Sequence, residues 1–167
     1  GVRQLAAQYP ALGVDVEVAC CDSPGSPWLS AIDHLVVHAL GPSRLGYAYA
    51  PQLLDWLLKN SSRFDAIVVD GLWQFHLRAV YLASRKTGVP YFVFTHGMLG
   101  PWFKENFPLK HLKKSAYWLL AEYWHLKNST SLLFTCKEEQ RLAQGAFYPF
   151  GFRETVIGFG TSAPTPP

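Results

Sequence analysis

Short apolar segments alternate with segments of helical periodicity along most of this 167-residue chain, and this order limits the folds open to it. Strands that alternate with helices form parallel sheets with helices packed against them. We therefore predict an α/β fold in which a Rossmann-like parallel sheet carries helices on both faces. The predicted strands are Val14–Cys21, His34–Leu40, Asp65–Leu72, Pro90–Thr95, Ser131–Cys136 and Thr155–Phe159. The predicted helices are Val2–Leu12, Tyr49–Asn60, Trp73–Thr87, Leu109–Lys127 and Lys137–Ala146.

The two ends of the sequence depart from this alternation. A doubly wound domain ordinarily opens on a strand, whereas this sequence opens on the helical segment Val2–Leu12, so we expect the first strand of the sheet to be missing. Residues Thr161–Pro167 (TSAPTPP) have the composition of a linker. We therefore predict one Rossmann-like domain over residues 1–160 and a linker or tail over residues 161–167.

Composition and charge exclude several classes of protein. The chain is 49% hydrophobic and 16% charged, which is typical of a globular domain. Its net charge of +3 is too small to indicate a nucleic-acid partner. Three cysteines without framework spacing indicate reduced thiols and a cytoplasmic location. No run approaches the ~18 apolar residues that a membrane span needs.

One segment holds the whole of this net charge. Between Pro101 and Lys127 there are five lysines and two glutamates. Apolar residues at helical spacing predict a face that packs on the sheet: Leu109, Leu112, Ala116, Leu119 or Leu120, Tyr123 and Leu126. The basic and aromatic residues beside them are Lys110, Lys113, Lys114 and Trp118, with Trp102 and Phe103 upstream. They form either an ordinary solvated face or a surface for an anionic ligand or membrane.

Candidate site residues follow from the rule that ligands bind at the carboxyl ends of strands in an open parallel sheet. Three predicted strand ends carry polar residues: Asp70-Gly71-Leu72-Trp73-Gln74, Thr95-His96-Gly97-Met98 and Thr135-Cys136-Lys137-Glu138.

His96 and Asp70 are the side chains at these ends with the clearest chemistry. His96 directly follows an apolar strand, and Gly97 allows the backbone to turn sharply after it. Its imidazole either hydrogen-bonds a polar substrate or closes the loop. Asp70 either binds a hydroxyl group or caps the helix that begins near Trp73.

Several familiar site motifs are missing from the sequence. It contains no Gly-x-Gly-x-x-Gly after a strand, no Gly-Lys-Ser/Thr phosphate loop and no Gly-x-Ser-x-Gly elbow. His34 and His38 have a spacing that suits a metal on a helix, but they lie in or beside a predicted strand with no carboxylate nearby. The sequence therefore predicts no self-sufficient nucleotide site, no catalytic triad and no metal site.

Four segments of the chain resemble a known family. DAIVVDGLW, GVPYFVFTHGMLGPW, LLFTCKEEQRLA and TVIGFGTS are similar, in this order, to the N-terminal domain of retaining glycosyltransferases of family 4 with the GT-B fold. The resemblance covers nearly the whole chain, and the His-Gly-Met-Leu-x-Pro-Trp run is its most specific part. One difference is that the strand end that often reads Thr-Ser-Glu in the family is Thr135-Cys136-Lys137 here.

The resemblance implies a two-domain enzyme with its reaction in the cleft between two Rossmann-like halves. In such enzymes the N-terminal half binds a glycan or lipid-linked acceptor, and the C-terminal half binds the nucleotide-sugar donor. Transfer retains anomeric configuration, and neither a cofactor nor a metal is expected. This chain by itself is then expected to be inactive.

The same resemblance implies roles for individual residues. His96 would lie near the donor sugar, and Gly1 would be the last residue of a glycine-rich loop that shapes the site. The remaining residues expected to contact substrate are Asp70, Trp73, Gly97, Met98, Trp102, Lys104 and Thr135.

Two alternatives to the enzyme remain open at this point. The chain could be a non-catalytic Rossmann-like module that binds a ligand or protein in the same crevice. It could also be a peripheral protein on the inner face of the membrane, held to anionic lipid through Lys110, Lys113 and Lys114.

Overall fold

The computed structural model describes residues 2, 6, 8–31 and 35–158, apart from the side chains of residues 30, 31 and 103. The strands are β1 (Glu17–Cys20), β2 (Val36–Ala39), β3 (Ile67–Asp70), β4 (Tyr91–Phe94), β5 (Ser131–Phe134) and β6 (Glu154–Val156). All the pairings between these strands are parallel. The predicted α/β fold with parallel sheets flanked by helices is confirmed.

The strands of the described residues form two sheets. β3, β4, β5 and β6 lie side by side in chain order, and β1 pairs with β2 in a second, two-stranded sheet. In the larger sheet Val69 is opposite Val93, which is opposite Leu132. This register places the carboxyl ends of β3, β4 and β5 at one edge of the sheet, where parallel strands present their loops.

The helices are α1 (Pro51–Asn60), α2 (Phe75–Thr87), α3 (Trp102–Asn106), α4 (Pro108–Tyr117), α5 (Tyr123–Lys127) and α6 (Lys137–Ala143). A π-helical turn, Trp118–Glu122, joins α4 to α5. Pro51 and Pro108 occupy first-turn positions, where a missing N–H costs nothing. Gly88 ends α2 with φ 79°, and its N–H donates to the Ser84 carbonyl at 2.8 Å.

The predicted first helix, Val2–Leu12, is only partly described. Val2, Ala6 and Gln8 are helical, and Tyr9–Leu12 is a 3₁₀ turn that ends at Gly13 with φ 73°. Within the described residues, no helix is long and apolar enough to cross a membrane.

The main buried cluster packs against one face of the four-stranded sheet. Val69, Val93 and Leu132 come to this face from adjacent strands, and Leu77 of α2 and Trp118 of the π turn belong to the same buried cluster. The continuous apolar run in Asp65–Leu72 predicts a strand buried on both faces, and this is wrong for Val68, which is 48% exposed. Val68 and Val69 point to opposite faces because side chains alternate along a strand. Of these two side chains, only that of Val69 is buried by the described residues.

The predicted helix over Leu109–Lys127 is present but is interrupted by the π turn, and the predicted packing of Leu109, Leu112 and Leu119 or Leu120 on the sheet is wrong. Leu109 is 83% exposed and Leu120 is 82% exposed, and α4 has no buried residue. Leu126 is buried as predicted, and the other buried side chains of this segment are Trp118, Glu122 and His125. The π turn accommodates an extra residue, so α-helical spacing cannot be carried from α4 into α5.

This correction predicts a sharp contrast between two leucines of the same segment. Leu126→Ala should lower the free energy of unfolding by about 2–5 kcal/mol, because it removes a buried side chain and leaves a cavity. Leu120→Ala should change it by less than about 0.5 kcal/mol, because the side chain is exposed. Chemical denaturation of both variants measures the difference, and equal losses would contradict the packing described above.

Candidate active site at the strand ends

Asp70 and His96 meet at the carboxyl ends of β3 and β4. Asp70 is the last residue of β3, and His96 follows the end of β4 by two residues. Their Oδ1 and Nε2 atoms are 2.7 Å apart, and both side chains are about 30% exposed. The His96 ring also stacks on Phe94, with centroids 5.3 Å apart. The interpretation of Asp70 as a helix cap is wrong, because the residue at the start of α2 is Gln74 and no side chain caps it.

The backbone around this pair has unusual dihedral angles. Gly71 and Gly97 have φ values of 93° and 72°, which glycine adopts at little cost. Trp73 and His96 have φ values of 70° and 45°, a region that costs other residues of order 1 kcal/mol or more. Such conformations persist only where the surrounding contacts fix them.

Met98 joins the two loops that carry Asp70 and His96. The Leu72 N–H donates to the Met98 sulfur at 3.2 Å, and the Trp73 indole N–H donates to the Met98 carbonyl at 3.4 Å. A Cβ atom on Gly71 would come within 3.3 Å of the Met98 methyl group. The two loops therefore pack as one unit.

Glu139 of α6 binds the ends of β4 and β5 from the other side. One carboxylate oxygen accepts from the Thr95 hydroxyl at 2.5 Å and the Gly97 N–H at 2.6 Å. The other accepts from both the N–H and the hydroxyl of Thr135, each at 2.7 Å. Burial by itself raises the pKa of the Glu139 carboxyl, but these hydrogen bonds outweigh it and hold that pKa below its ordinary value.

Glu122 supports the loop of Asp70 from the interior. It lies in the π turn, is fully buried, and accepts a hydrogen bond from the Trp73 N–H at 2.5 Å. Its second oxygen is 3.4 Å from Nδ1 of His125. His76 contacts the same loop through the Gly71 carbonyl at 3.2 Å, and burial lowers the pKa of its imidazole. A buried carboxylate thus holds Trp73 in its positive-φ conformation.

Residues 1–160 match the sequence model of a family described as a glycosyl transferase 4-like domain. The chain belongs to this family. Comparison with curated proteins gives no significant match. The resemblance in the sequence is therefore confirmed, and the α/β structure is consistent with one Rossmann-like half of a GT-B enzyme.

The structure of this glycosyl transferase 4-like domain brings most of the predicted site residues together. Asp70, Trp73, His96, Gly97 and Met98 are joined by the contacts above. Thr135 lies at the next strand end and is linked to Gly97 through Glu139.

The other predicted site residues lie farther along the chain or outside the described residues. Trp102 begins α3, is 55% exposed and packs on Phe107 with ring centroids 5.1 Å apart. Lys104 donates to the Gly145 carbonyl at 3.2 Å. Gly1 lies outside the described residues. Within the part of the chain that the structure describes, no group of three His, Cys, Asp or Glu side chains could hold a metal ion.

Two residues of this region were missed by sequence reasoning. Glu139 was recognisable in principle, because an acidic residue three positions after a helix N-cap is a known start signal, and the Glu139 N–H does donate to the Cys136 sulfur at 3.4 Å. That signal does not predict the four hydrogen bonds that Glu139 accepts at the ends of β4 and β5. Glu122 had no signal beyond being a charged residue in a segment rich in apolar ones.

Replacing Glu139 tests how much its hydrogen bonds contribute to stability. Glu139→Gln at pH 7 should lower the free energy of unfolding by about 1–3 kcal/mol, because the donors of Thr95, Gly97 and Thr135 lose their charged acceptor. Glu138→Gln is the matched control, since Glu138 is exposed and, among the described residues, forms its ion pair with Arg141, three residues away.

The same pair of variants predicts a pH dependence. The pKa of the Glu139 carboxyl is lowered in the folded state. The stabilisation that this side chain gives the folded state is therefore complete above the ordinary pKa of 4.5, and it declines as the pH falls below that value. The stability difference between wild type and Glu139→Gln should shrink over that acid range in urea denaturation series. A difference that grows on acidification would contradict this assignment.

Proposed function

We propose that this domain is the acceptor-side half of a retaining GT-B glycosyltransferase. The complete enzyme moves a sugar from a nucleotide-sugar donor to a glycan or lipid-linked acceptor, such as a growing surface polysaccharide. The family match supports transferase activity in general. The observation that carries the finer proposal is the Asp70–His96 pair at the carboxyl end of a parallel sheet.

The geometry of this pair suits the recognition of a sugar. An ionised carboxylate only accepts hydrogen bonds, so Asp70 accepts from Nε2–H of His96 and fixes the orientation of the ring. Both side chains are partly exposed and can be reached from solvent. An imidazole held in one orientation by a carboxylate is a suitable partner for sugar hydroxyl groups during transfer.

The donor's diphosphate needs a different part of the enzyme. A leaving diphosphate is stabilised by concentrated positive charge or by helix N-termini. The sequence has no phosphate-binding glycine motif. We therefore place the donor site in a second domain that follows residues 1–160, with residues 161–167 as the start of the connection. No metal or cofactor is required in this proposal.

We also propose a cytoplasmic location for the reaction. Cys20, Cys21 and Cys136 are all free thiols, which suits a reducing compartment. Burial raises the pKa values of Cys20 and Cys21, so both are held as neutral thiols.

His96→Ala tests the role of the pair in the full-length enzyme. We expect kcat to fall about 10- to 100-fold, because the variant loses an imidazole whose hydrogen bond to a sugar hydroxyl in the transition state would be worth about 1.5–3 kcal/mol. The thermal midpoint should change little, since His96 is partly exposed.

The matched control for this variant is His38→Ala. His38 makes an equivalent contact, with its Nε2 2.7 Å from the Glu17 carboxylate, but it lies within β2. This variant should retain turnover. Intact turnover in His96→Ala together with a large loss of stability would instead assign His96 a structural role.

The division into two halves predicts that this chain by itself transfers no sugar. Transfer from a radiolabelled nucleotide-sugar should appear only when residues 1–160 are joined to the donor domain. Turnover by the isolated chain would overturn the division. Glycan binding without turnover in the complete protein would favour a non-catalytic binding module.

A further inference from the structure

The outer surface of the helical segment from α4 to α5 is apolar. Leu109, Leu112, Leu119, Leu120 and Trp124 are all more than half exposed, and we call these five residues the leucine face. Large apolar side chains grouped on one surface are typical of an interaction site rather than of ordinary solvated surface. The described residues place no other element over this face, since the side chains of the segment that pack inward are Trp118, Glu122, His125 and Leu126.

Two aromatic residues and two lysines accompany the leucine face. Trp102 and Phe107 are exposed and pack on each other just before α4. Lys110 and Lys113 are exposed on α4, and the Lys110 ammonium lies 4.7 Å from the centre of the Phe107 ring. Of the two glutamates between residues 101 and 127, Glu122 is fully buried. The outer surface of this segment is therefore both apolar and cationic.

Lys114 belongs to a different surface from Lys110 and Lys113. Its ammonium lies 4.6 Å from the centre of the Trp73 ring, on the side of α4 that faces the candidate site. Burial lowers the pKa of Lys114, although Glu122 acts in the opposite sense. The grouping of all three lysines in one surface, which the sequence predicted, is wrong for Lys114.

We propose that the leucine face, with Lys110 and Lys113, docks the domain on an anionic lipid surface. A helix lies in a membrane interface when its apolar side chains enter the headgroup boundary and its lysines contact anionic lipids. The tryptophans at positions 102 and 124 suit the same boundary, where indole rings concentrate.

The charge pattern favours lipid over a second copy of the chain. A symmetric dimer uses the same patch on both copies, which would bring the lysines of each copy close to those of the other. Like charges in a desolvated contact oppose association. An anionic lipid surface satisfies the leucines and the lysines together.

Docking in this way also indicates which acceptor the domain uses. This step rests on the function proposed above. Met98 joins the site loops, and Trp102 starts α3 only four residues later. On its inner side α4 reaches Trp73 through Lys114. The candidate site at Asp70 and His96 therefore borders the docking surface, so the acceptor we propose is a lipid-linked glycan presented at the membrane.

Vesicle co-sedimentation of the purified protein tests the proposal. We expect binding to phosphatidylcholine vesicles that contain about 30% phosphatidylglycerol, and much weaker binding to pure phosphatidylcholine or at high salt. Lys110→Gln/Lys113→Gln should weaken binding roughly 25-fold, at about fivefold for each lysine. Leu120→Gln should weaken it at least about tenfold, because it places an amide among the inserted side chains.

Matched controls separate docking from general effects of charge and polarity. Lys59→Gln/Lys86→Gln removes two exposed lysines from α1 and α2, and Leu12→Gln changes an exposed leucine outside the segment. Neither control should change vesicle binding. Far-UV circular dichroism checks that all the variants remain folded.

Two outcomes would overturn the proposal. One is equal binding by the test and control variants. The other is absence of vesicle binding together with a dimer that Leu120→Gln dissociates, which would assign the leucine face to a second copy. Vesicle binding is measured without donor or acceptor, so its failure leaves the proposed sugar transfer standing, and failure of sugar transfer leaves the docking result unaffected.

Discussion

The carboxylate of Glu139 holds the ends of β4 and β5 in one fixed arrangement. It accepts hydrogen bonds from Thr95, Gly97 and Thr135, which directly follow the ends of these two strands. The position of His96 depends on this contact, because His96 lies between Thr95 and Gly97 in the chain. Asp70 then fixes the imidazole, and Met98 fixes the loop that carries Asp70. The geometry of the candidate site is built outward from one acidic residue on a helix.

A second carboxylate supports the same region from below. Glu122 is fully buried and accepts the Trp73 N–H, which keeps the backbone after Asp70 in place. It reaches that position from a π turn, a distortion that often occurs near functional sites. The domain therefore places two acids behind its strand ends, and both bind backbone N–H groups of the site loops.

Much of the fold could be predicted from the sequence, because it depends on local patterns. The apolar runs ending at Asp70 and Thr95 and the helix stopped by Gly88 all lie where periodicity and turn chemistry place them. The strand-end rule also found Asp70 and His96, although it could not show that they bind each other across 26 residues of chain. The π turn gives no periodic signal, so Leu109, Leu112 and Leu119 or Leu120 were assigned to the core although they are exposed. Glu139 and Glu122 act through contacts between distant segments, which no spacing in the sequence records.

The positive φ of His96 makes its position a compromise between backbone and side chain. A φ of 45° suits glycine, and glycine there would relieve local strain while it removed the imidazole that Asp70 holds. The chain keeps a histidine where the backbone alone would favour the smallest residue. At this position glycine would favour the stability of the backbone, whereas histidine supplies the imidazole of the candidate site. The contacts of Asp70 and Glu139 hold the histidine in this strained conformation.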